Sequence, residues 1–240
     1  AGPDHRVETS LDVPGDVFRQ PLQRDMRGVR VAFAPDLGEL PLHPHVRAAL
    51  DAQRAVFEGL GCIVEDAVPD LQDADRIFRD IRAFSFATGQ REHYRLHKDQ
   101  LKDTVVWNVE EGQRLSAVDV GVAMGLQSQL YARFAKFMDR YEYLICAVNQ
   151  VPPFDATIPY PTEIDGVQME TYIAWMKSAY YITVTGAPCI SVPAAFTPDG
   201  LPVGVQIVGR RHADFGVLQM GYAFQEATEL WKQRPPVCTV

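Results

Sequence analysis

The sequence predicts one α/β domain in which helices cover both faces of a sheet. Residues 29–68 have the pattern of a strand, a helix and a strand, residues 185–209 have the pattern of two buried strands joined by a tight turn, and 47% of the 240 residues are hydrophobic. A strand, helix and strand in succession form the unit from which parallel sheets are built, and a chain of this length can bury a full core. We see no composition break, so we expect residues 1–240 to form a single α/β domain, with residues 1–26 as a surface connector.

The stretch TGAPCISVPAAFTPDGLPVGVQIVG at 185–209 has the strongest pattern in the chain. Side chains two apart share a face of a strand, and one face is bulky and apolar: Ile190, Val192, Phe196, Val203, Val205 and Ile207. The other face carries small or weakly polar groups, which let a further layer of backbone approach closely: Cys189, Ser191, Ala195, Gly204 and Gln206. We therefore expect the apolar set in the core and the hairpin covered on both faces. Pro193 cannot donate to a strand ladder, so we expect a bulge or a sheet edge there.

The first strand of the chain is predicted at 29–34, where alternating valines are ended by a proline and a glycine. An amphipathic helix follows over 44–60, with Pro44 in its first turn. The next strand is predicted at 62–68. Together these elements predict a βαβ unit with a right-handed crossover.

Further helices are predicted downstream from their apolar periodicity. An amphipathic helix spans 73–87 and a more polar helical region spans 88–115. Ser116 and Asp119 have the spacing of a capping box at the start of a long helix, and residues 143–148 then form a buried strand. The two remaining predicted helices span 169–184 and 214–228.

Composition and charge exclude several classes of protein. The net charge is −8 and the lysines and arginines are scattered, so we expect no nucleic-acid partner. No apolar run is long enough to span a membrane and no leader is visible, which predicts a cytoplasmic protein. Four cysteines lie far apart without paired spacing, and we expect them to be free core thiols in a reducing compartment: Cys62, Cys146, Cys189 and Cys238.

The residues offer little catalytic chemistry of their own. The sequence contains no nucleophile elbow, zinc-protease motif, phosphate loop or dinucleotide fingerprint. Ser191 lies in the middle of a strand and is expected to be a buried packing residue, not a nucleophile. His93 and His97 share a helix face but lack a third ligand, so we expect neither a metal nor another cofactor. Three aspartates that precede a helix are interpreted as capping residues: Asp70, Asp73 and Asp75.

A proline-rich loop is the feature most indicative of a binding site. Residues 151–161 follow the strand at 143–148 and contain four prolines, which hold an extended path. Ligands of open α/β sheets bind beyond the ends of strands. The aromatic residues Trp107, Tyr172 and Trp175 could stack on a ligand there or pack in the core.

The hairpin sequence resembles the C-terminal core of the amidase signature enzymes. The resemblance is carried by GAPCISVP at 186–193 and GLPVGVQIVG at 200–209. It extends over essentially the whole chain, through AGPD at 1–4, GVRVAF at 28–33, VRAAL at 46–50 and QRPP at 233–236. It implies part of an α/β/α sandwich around a mixed central sheet.

The same resemblance implies hydrolysis of a carboxylic amide to an acid and an amine or ammonia. The family uses a serine nucleophile, a bridging serine in a cis peptide and a lysine base, without a metal. The segment that carries them in the family would lie upstream of Ala1. We therefore expect this chain to be the C-terminal portion of an amidase, inactive alone and without catalytic residues. A role in binding the substrate carries over to the loop and helix residues Pro153, Phe154, Tyr172 and Trp175.

Three hypotheses follow for function and partners. In the first, the chain works with a missing N-terminal catalytic half on a small-molecule amide, or associates with itself when that half is absent. In the second, it is a non-enzymatic binding or partner module that keeps the fold. In the third, it is an independent hydrolase that uses Ser191 or a cysteine.

Overall fold

A computed structural model describes residues 2–233 and contains a five-stranded mixed sheet. Its strands are β1 (Arg30–Phe33), β2 (Ile63–Asp66), β3 (Tyr143–Ala147), β6 (Cys189–Phe196) and β7 (Pro202–Gly209). They lie in the order β2-β1-β3-β7-β6. β1 pairs in parallel with β2 and β3, whereas β7 is antiparallel to both β3 and β6. A separate short hairpin is formed by β4 (Glu163–Ile164) and β5 (Val167–Gln168).

Eight α-helices connect the strands within residues 2–233. They are α1 (Pro44–Asp51), α2 (Arg54–Gly59), α3 (Ala74–Gly89), α4 (Arg91–His97), α5 (Asp103–Arg114), α6 (Ala117–Met138), α7 (Lys177–Thr183) and α8 (Asp214–Thr228). Helices α1, α2 and α8 share a core with one face of the sheet, and α3, α6 and α7 share a core with the other. The predicted α/β fold with a mixed sheet is therefore confirmed.

The central strand β3 is buried on both faces because its side chains alternate between the two cores. Tyr143 and Ile145 belong to the core of α1, α2 and α8, and Leu144 and Cys146 belong to the core of α3, α6 and α7. A strand buried on both sides has a continuous apolar sequence, as YLICA does. Its register against β1 and β7 fixes where the chain leaves the sheet after Ala147.

The hairpin at 185–209 forms as predicted, with β6 at the edge of the five-stranded sheet. The register shifts between Pro193 and Ala195, so the expected bulge and the expected edge both occur. Cover on both faces is wrong for β6, because Cys189, Ser191 and Pro193 are exposed and no described element lies over them. Phe196 is also not in the core; it is 44% exposed at the end of β6, where it pairs with Pro202 next to the turn.

Two predicted helices differ from the structure in their limits. The helix over 44–60 is two helices, because the chain turns at Ala52 and Gln53 and Gln53 N–H bonds to the carbonyl of Leu50. The helix predicted over 169–184 begins only with a 3₁₀ turn at Ala174–Met176. By contrast, the capping box of Ser116 and Asp119 and the limits 214–228 of the last helix are confirmed.

Most residues that precede Met26 are exposed, whereas Met26 itself is buried in the core. The predicted core position of Cys189 is wrong, since this residue is exposed on the uncovered face of β6. Cys62 and Cys146 are buried free thiols, and Cys238 lies outside the described residues. Of the helices within residues 2–233, none combines the length and apolar character needed to cross a bilayer.

Candidate functional site

The largest feature near the proline-rich loop is a cleft of about 550 Å³ where β3 ends and β7 begins. Two backbone hydrogen bonds fix the path of the chain around the end of β3. The Ala147 N–H donates to the Pro35 carbonyl, and the His43 N–H donates to the Gln150 carbonyl. The cleft is lined by the loop, by the hairpin and by one residue each of α1 and the 3₁₀ turn: Val46, Asn149, Val151, Pro152, Pro153, Phe154, Trp175, Ser191, Val192, Pro193, Pro202, Val203 and Gly204.

Glycine at position 204 sets the depth of this cleft. A Cβ atom at Gly204 would lie 3.0 Å from Ser191 Oγ and 3.2 Å from Val148 Cγ2. Such distances are tighter than ordinary carbon contacts, so a larger residue would push the floor outward. The sequence pattern placed Gly204 among the small residues on one face of the hairpin, where close contact with another backbone was expected. It did not identify Gly204, Asn149 or Val46 as cleft residues.

Aromatic rings form one wall of the cleft. Phe154 and Trp175 meet edge to face, with ring centroids 5.3 Å apart and an interplanar angle of 90°. This arrangement is favourable for aromatic pairs. Because Phe154 is 37% exposed, part of its ring remains free to contact a ligand.

Three of the four expected binding residues therefore lie around one cleft, and the fourth lies elsewhere. Pro153, Phe154 and Trp175 line the cleft, and Tyr172 does not. Tyr172 precedes the 3₁₀ turn and contacts α5, with its ring edge to face against Trp107 at 5.6 Å. The predicted helix over 169–184 would have carried both Tyr172 and Trp175, but no helix includes Tyr172 in the structure.

The cleft contains a hydroxyl group but no side chain able to activate it. Ser191 is exposed, so its predicted burial is wrong, and its Oγ makes no hydrogen bond to another described residue. The lining residues include no histidine, lysine, aspartate or glutamate. Since a serine nucleophile needs a base within hydrogen-bonding reach, the described part of the cleft can bind and orient a ligand but does not supply that base.

Beside the cleft, two thiols are linked through one amide side chain. Gln206 Nε2 donates to Cys189 Sγ at 3.3 Å, and Cys146 Sγ donates to Gln206 Oε1 at 3.5 Å. Burial raises the pKa of Cys146 well above its usual range, so this thiol stays protonated and can act as the donor.

The described residues show no arrangement suited to a metal ion. Within 2–233, no three His, Cys, Asp or Glu side chains are grouped as ligands. His93 Nδ1 lies 3.3 Å from Gln90 Oε1. Asp70 accepts a hydrogen bond from the Gln72 N–H, whereas Asp73 makes no side-chain cap to α3.

Comparison with known proteins identifies relatives over the whole described fold. An acylamidase of Rhodococcus erythropolis is 29% identical over 243 residues, which is 98% of this chain and 50% of the relative. A glutamyl-tRNA(Gln) amidotransferase subunit of Desulforudis audaxviator is 27% identical over 98% of this chain and 51% of the relative. The chain thus spans about half the length of these curated relatives.

Solved structures and a family model agree with these relatives. A bacterial aryl acylamidase of the amidase signature family matches with a TM-score of 0.86 and 23% identity, over 98% of this chain and 51% of that one. A 6-aminohexanoate cyclic dimer hydrolase matches with a TM-score of 0.84 and 18% identity, over 99% and 53%. The model of the Amidase family matches residues 1–218. The chain therefore belongs to the amidase family.

Proposed function

We propose that the protein hydrolyses a carboxylic amide to an acid and an amine or ammonia, and that this chain supplies the core and the substrate cleft. Membership of the amidase family supports the reaction class. The observation that carries the assignment of the cleft is its position beyond the end of β3, walled by Phe154 and Trp175 and floored by Gly204. Such crevices beyond strand ends are where open α/β sheets bind ligands.

The serine nucleophile, the bridging serine and the lysine base are proposed to lie upstream of Ala1. Two observations support a location of these groups outside this chain. The relatives are about twice as long as the part that matches, and among the described residues that line the cleft only Asn149 and Ser191 carry an amide or hydroxyl side chain. In this arrangement Pro153, Phe154 and Trp175 contact the substrate and set the size of its pocket.

The partner of this chain is proposed to be the missing catalytic half. The outer face of β6 supports that proposal, because Cys189, Ser191 and Pro193 are exposed at the sheet edge, beside the cleft. Uncovered strands with unpaired backbone groups pair readily with other chains. When the catalytic half is absent, we expect the same surface to contact a second copy of this chain.

A hydrolysis assay on residues 1–240 tests the placement of the nucleophile. We expect no release of aniline from acetanilide and no ammonia from benzamide above the buffer rate, because the cleft lacks a base. Addition of a separately produced N-terminal half of an amidase is expected to restore turnover if the two halves associate. Saturable hydrolysis by residues 1–240 alone that disappears in Ser191→Ala would instead place the nucleophile in this chain.

A further inference from the structure

Among the described residues that line the cleft beyond β3, none carries a charge. Their side chains are mainly valine, proline and aromatic, and the two polar ones, Asn149 and Ser191, are neutral. Charged residues make up 22% of the sequence, and four other cavities in the described part of the chain each include at least three of them. The absence of charge therefore distinguishes this cleft from those cavities.

Charged residues that neighbour the cleft in sequence are engaged by other groups. Asp155 lies in the proline-rich loop, and its Oδ1 atom accepts hydrogen bonds from the Thr157 N–H, at 2.8 Å, and the Thr157 hydroxyl, at 2.7 Å. These bonds lower the pKa of Asp155, so its carboxyl group is ionised at neutral pH. Arg47 of α1 is paired with Asp36 at 2.6 Å. Neither Asp155 nor Arg47 lines the cleft, so neither offers an opposite charge to a ligand inside it.

Proline and aromatic side chains make the walls of the cleft rigid. Four of the lining residues are prolines: Pro152, Pro153, Pro193 and Pro202. Each proline ring fixes the backbone dihedral φ at about −65°, so the wall loses little conformational entropy when a ligand binds. Phe154 and Trp175 also support each other, edge to face at 5.3 Å. The same rigidity keeps the wall from rearranging to bring a charged side chain to a ligand.

A cleft with these walls favours a flat, apolar group without charge. Its volume of about 550 Å³ lies within the range of about 300–1,000 Å³ that small-molecule sites occupy. An aromatic ring gains free energy when it leaves water and packs against other rings. A carboxylate or an ammonium group would lose its hydration without gaining an opposite charge, which is costly. The balance of these two effects selects against charged ligands.

We propose that the cleft binds an uncharged aromatic group of the amide substrate and rejects amides that carry a charge on this group. The proposal rests on the proposed function and deepens it, because it names the class of amide. The ring of the substrate packs against Phe154 and Trp175, over the floor at Gly204. Asn149 and Ser191 provide hydrogen bonds to the amide group attached to the ring.

Three acetanilides of similar size test the preference for a neutral ligand at neutral pH. 4-Acetamidobenzamide is neutral, 4-acetamidobenzoate is an anion, and 4-(aminomethyl)acetanilide is a cation. The neutral compound is expected to bind residues 1–240 about tenfold more tightly than either charged compound. The protein is kept at concentrations at which sedimentation velocity shows a monomer, because the cleft lies beside the exposed face of β6.

The indole N–H resonances of the three tryptophans locate the binding in ¹H–¹⁵N NMR titrations. Each resonance is assigned by its loss in the corresponding Trp→Phe variant. The Trp175 resonance should shift saturably, because this residue lines the cleft. Trp107 lines a different cavity and Trp231 is 54% exposed outside the cleft, so both resonances should stay unchanged.

Truncation of one aromatic side chain tests the contact with the ring of the ligand. Phe154→Ala should weaken the binding of 4-acetamidobenzamide about fivefold, because a ring-to-ring contact is lost. Phe18→Ala is the matched control, since Phe18 is also 37% exposed and packs against Phe215 outside the cleft; binding should be unchanged. Thermal unfolding of both variants checks that the fold is retained.

A lysine on the wall of the cleft tests the exclusion of charge. Val151→Lys should improve the binding of 4-acetamidobenzoate about threefold relative to 4-acetamidobenzamide, because the carboxylate then has a partner. Val167→Lys is the matched control, since Val167 is 48% exposed on β5 and does not line the cleft. Its selectivity should equal that of the unmodified chain.

Several results would overturn the proposed selectivity. They are the absence of a Trp175 shift, equal binding of the three acetanilides, equal effects of the two phenylalanine substitutions in folded variants, and unchanged selectivity in a folded Val151→Lys variant. Because binding is measured directly, these failures leave the proposed hydrolysis intact. Conversely, an absence of turnover in the acetanilide assay does not affect the binding result.

Discussion

At the scale of single residues, the three described thiols differ mainly in their exposure to water. Cys62 is 7% exposed and Cys146 is fully buried, whereas Cys189 is exposed on β6. Burial, with a smaller contribution from the charge of Glu142, raises the pKa of Cys62 to about 11. Burial disfavours the thiolate, and the thiolate is the form that reacts.

We therefore expect Cys189 to react with iodoacetamide in the folded monomer while Cys62 and Cys146 do not. At about pH 8, a thiol with a pKa near 11 is about one thousandth thiolate, and burial also blocks access to it. Peptide mass spectrometry after timed labelling measures each site separately and keeps Cys238 apart from the others. The Cys189→Ala variant is the control, and rapid labelling of Cys62 in it would contradict the assignment.

At the scale of elements, the contact between α3 and α5 depends on one glycine. A Cβ atom at Gly112 would lie 2.0 Å from the carbonyl oxygen of Ala83 and 2.7 Å from Ala87 Cβ. A backbone carbonyl cannot move aside as a flexible side chain can, so the helices would have to separate. Because Asn108 lies on the same helix, that separation would also disturb its hydrogen bond to the Tyr172 hydroxyl group.

Gly112→Ala is expected to lower the free energy of unfolding by about 3 kcal/mol, since overpacking of a rigid contact outweighs the gain in helix propensity. Urea denaturation with a shared m-value measures the change. Gly125→Ala in α6 is the matched control, because nothing lies within 4 Å of the added Cβ, and it should raise stability by about 0.5 to 1 kcal/mol. If the two substitutions changed the free energy of unfolding equally, the close contact with Ala83 would not be the cause of the effect at Gly112.

Local pattern predicted the elements well where one physical cause dominates. Pro193 identified both a bulge and an edge because a missing N–H group cannot serve a central ladder. The helix break at Ala52 and Gln53 was missed, since neither a proline nor a glycine occurs there. Tyr172 and Trp175 were assigned to one helix from spacing alone, and the turn that separates them depends on tertiary contacts that periodicity does not report.

At the scale of the whole molecule, helices cover both faces of the sheet at its centre, whereas one face of the edge strand β6 is exposed. Small residues on the outer face of β6 were interpreted as a surface for close backbone contact, but the described residues leave Ser191 and Pro193 exposed. The sequence pattern is the same whether the covering layer comes from this chain or from another. For that reason the fold and three cleft residues could be inferred from the sequence, and the uncovered face could not.

The exposed edge leads to a prediction about assembly. Residues 1–240 are expected to self-associate in sedimentation velocity runs over a concentration series, because an uncovered edge strand with apolar neighbours is a template for pairing. Phe196→Lys should reduce the associated fraction, since Phe196 is 44% exposed at the end of β6 and a charge on an edge strand opposes pairing. Val118→Lys is the matched control, because Val118 is 73% exposed on α6, and it should leave association unchanged. A monomer at every concentration, or equal effects of the two lysines, would show that the β6 edge is not the associating surface.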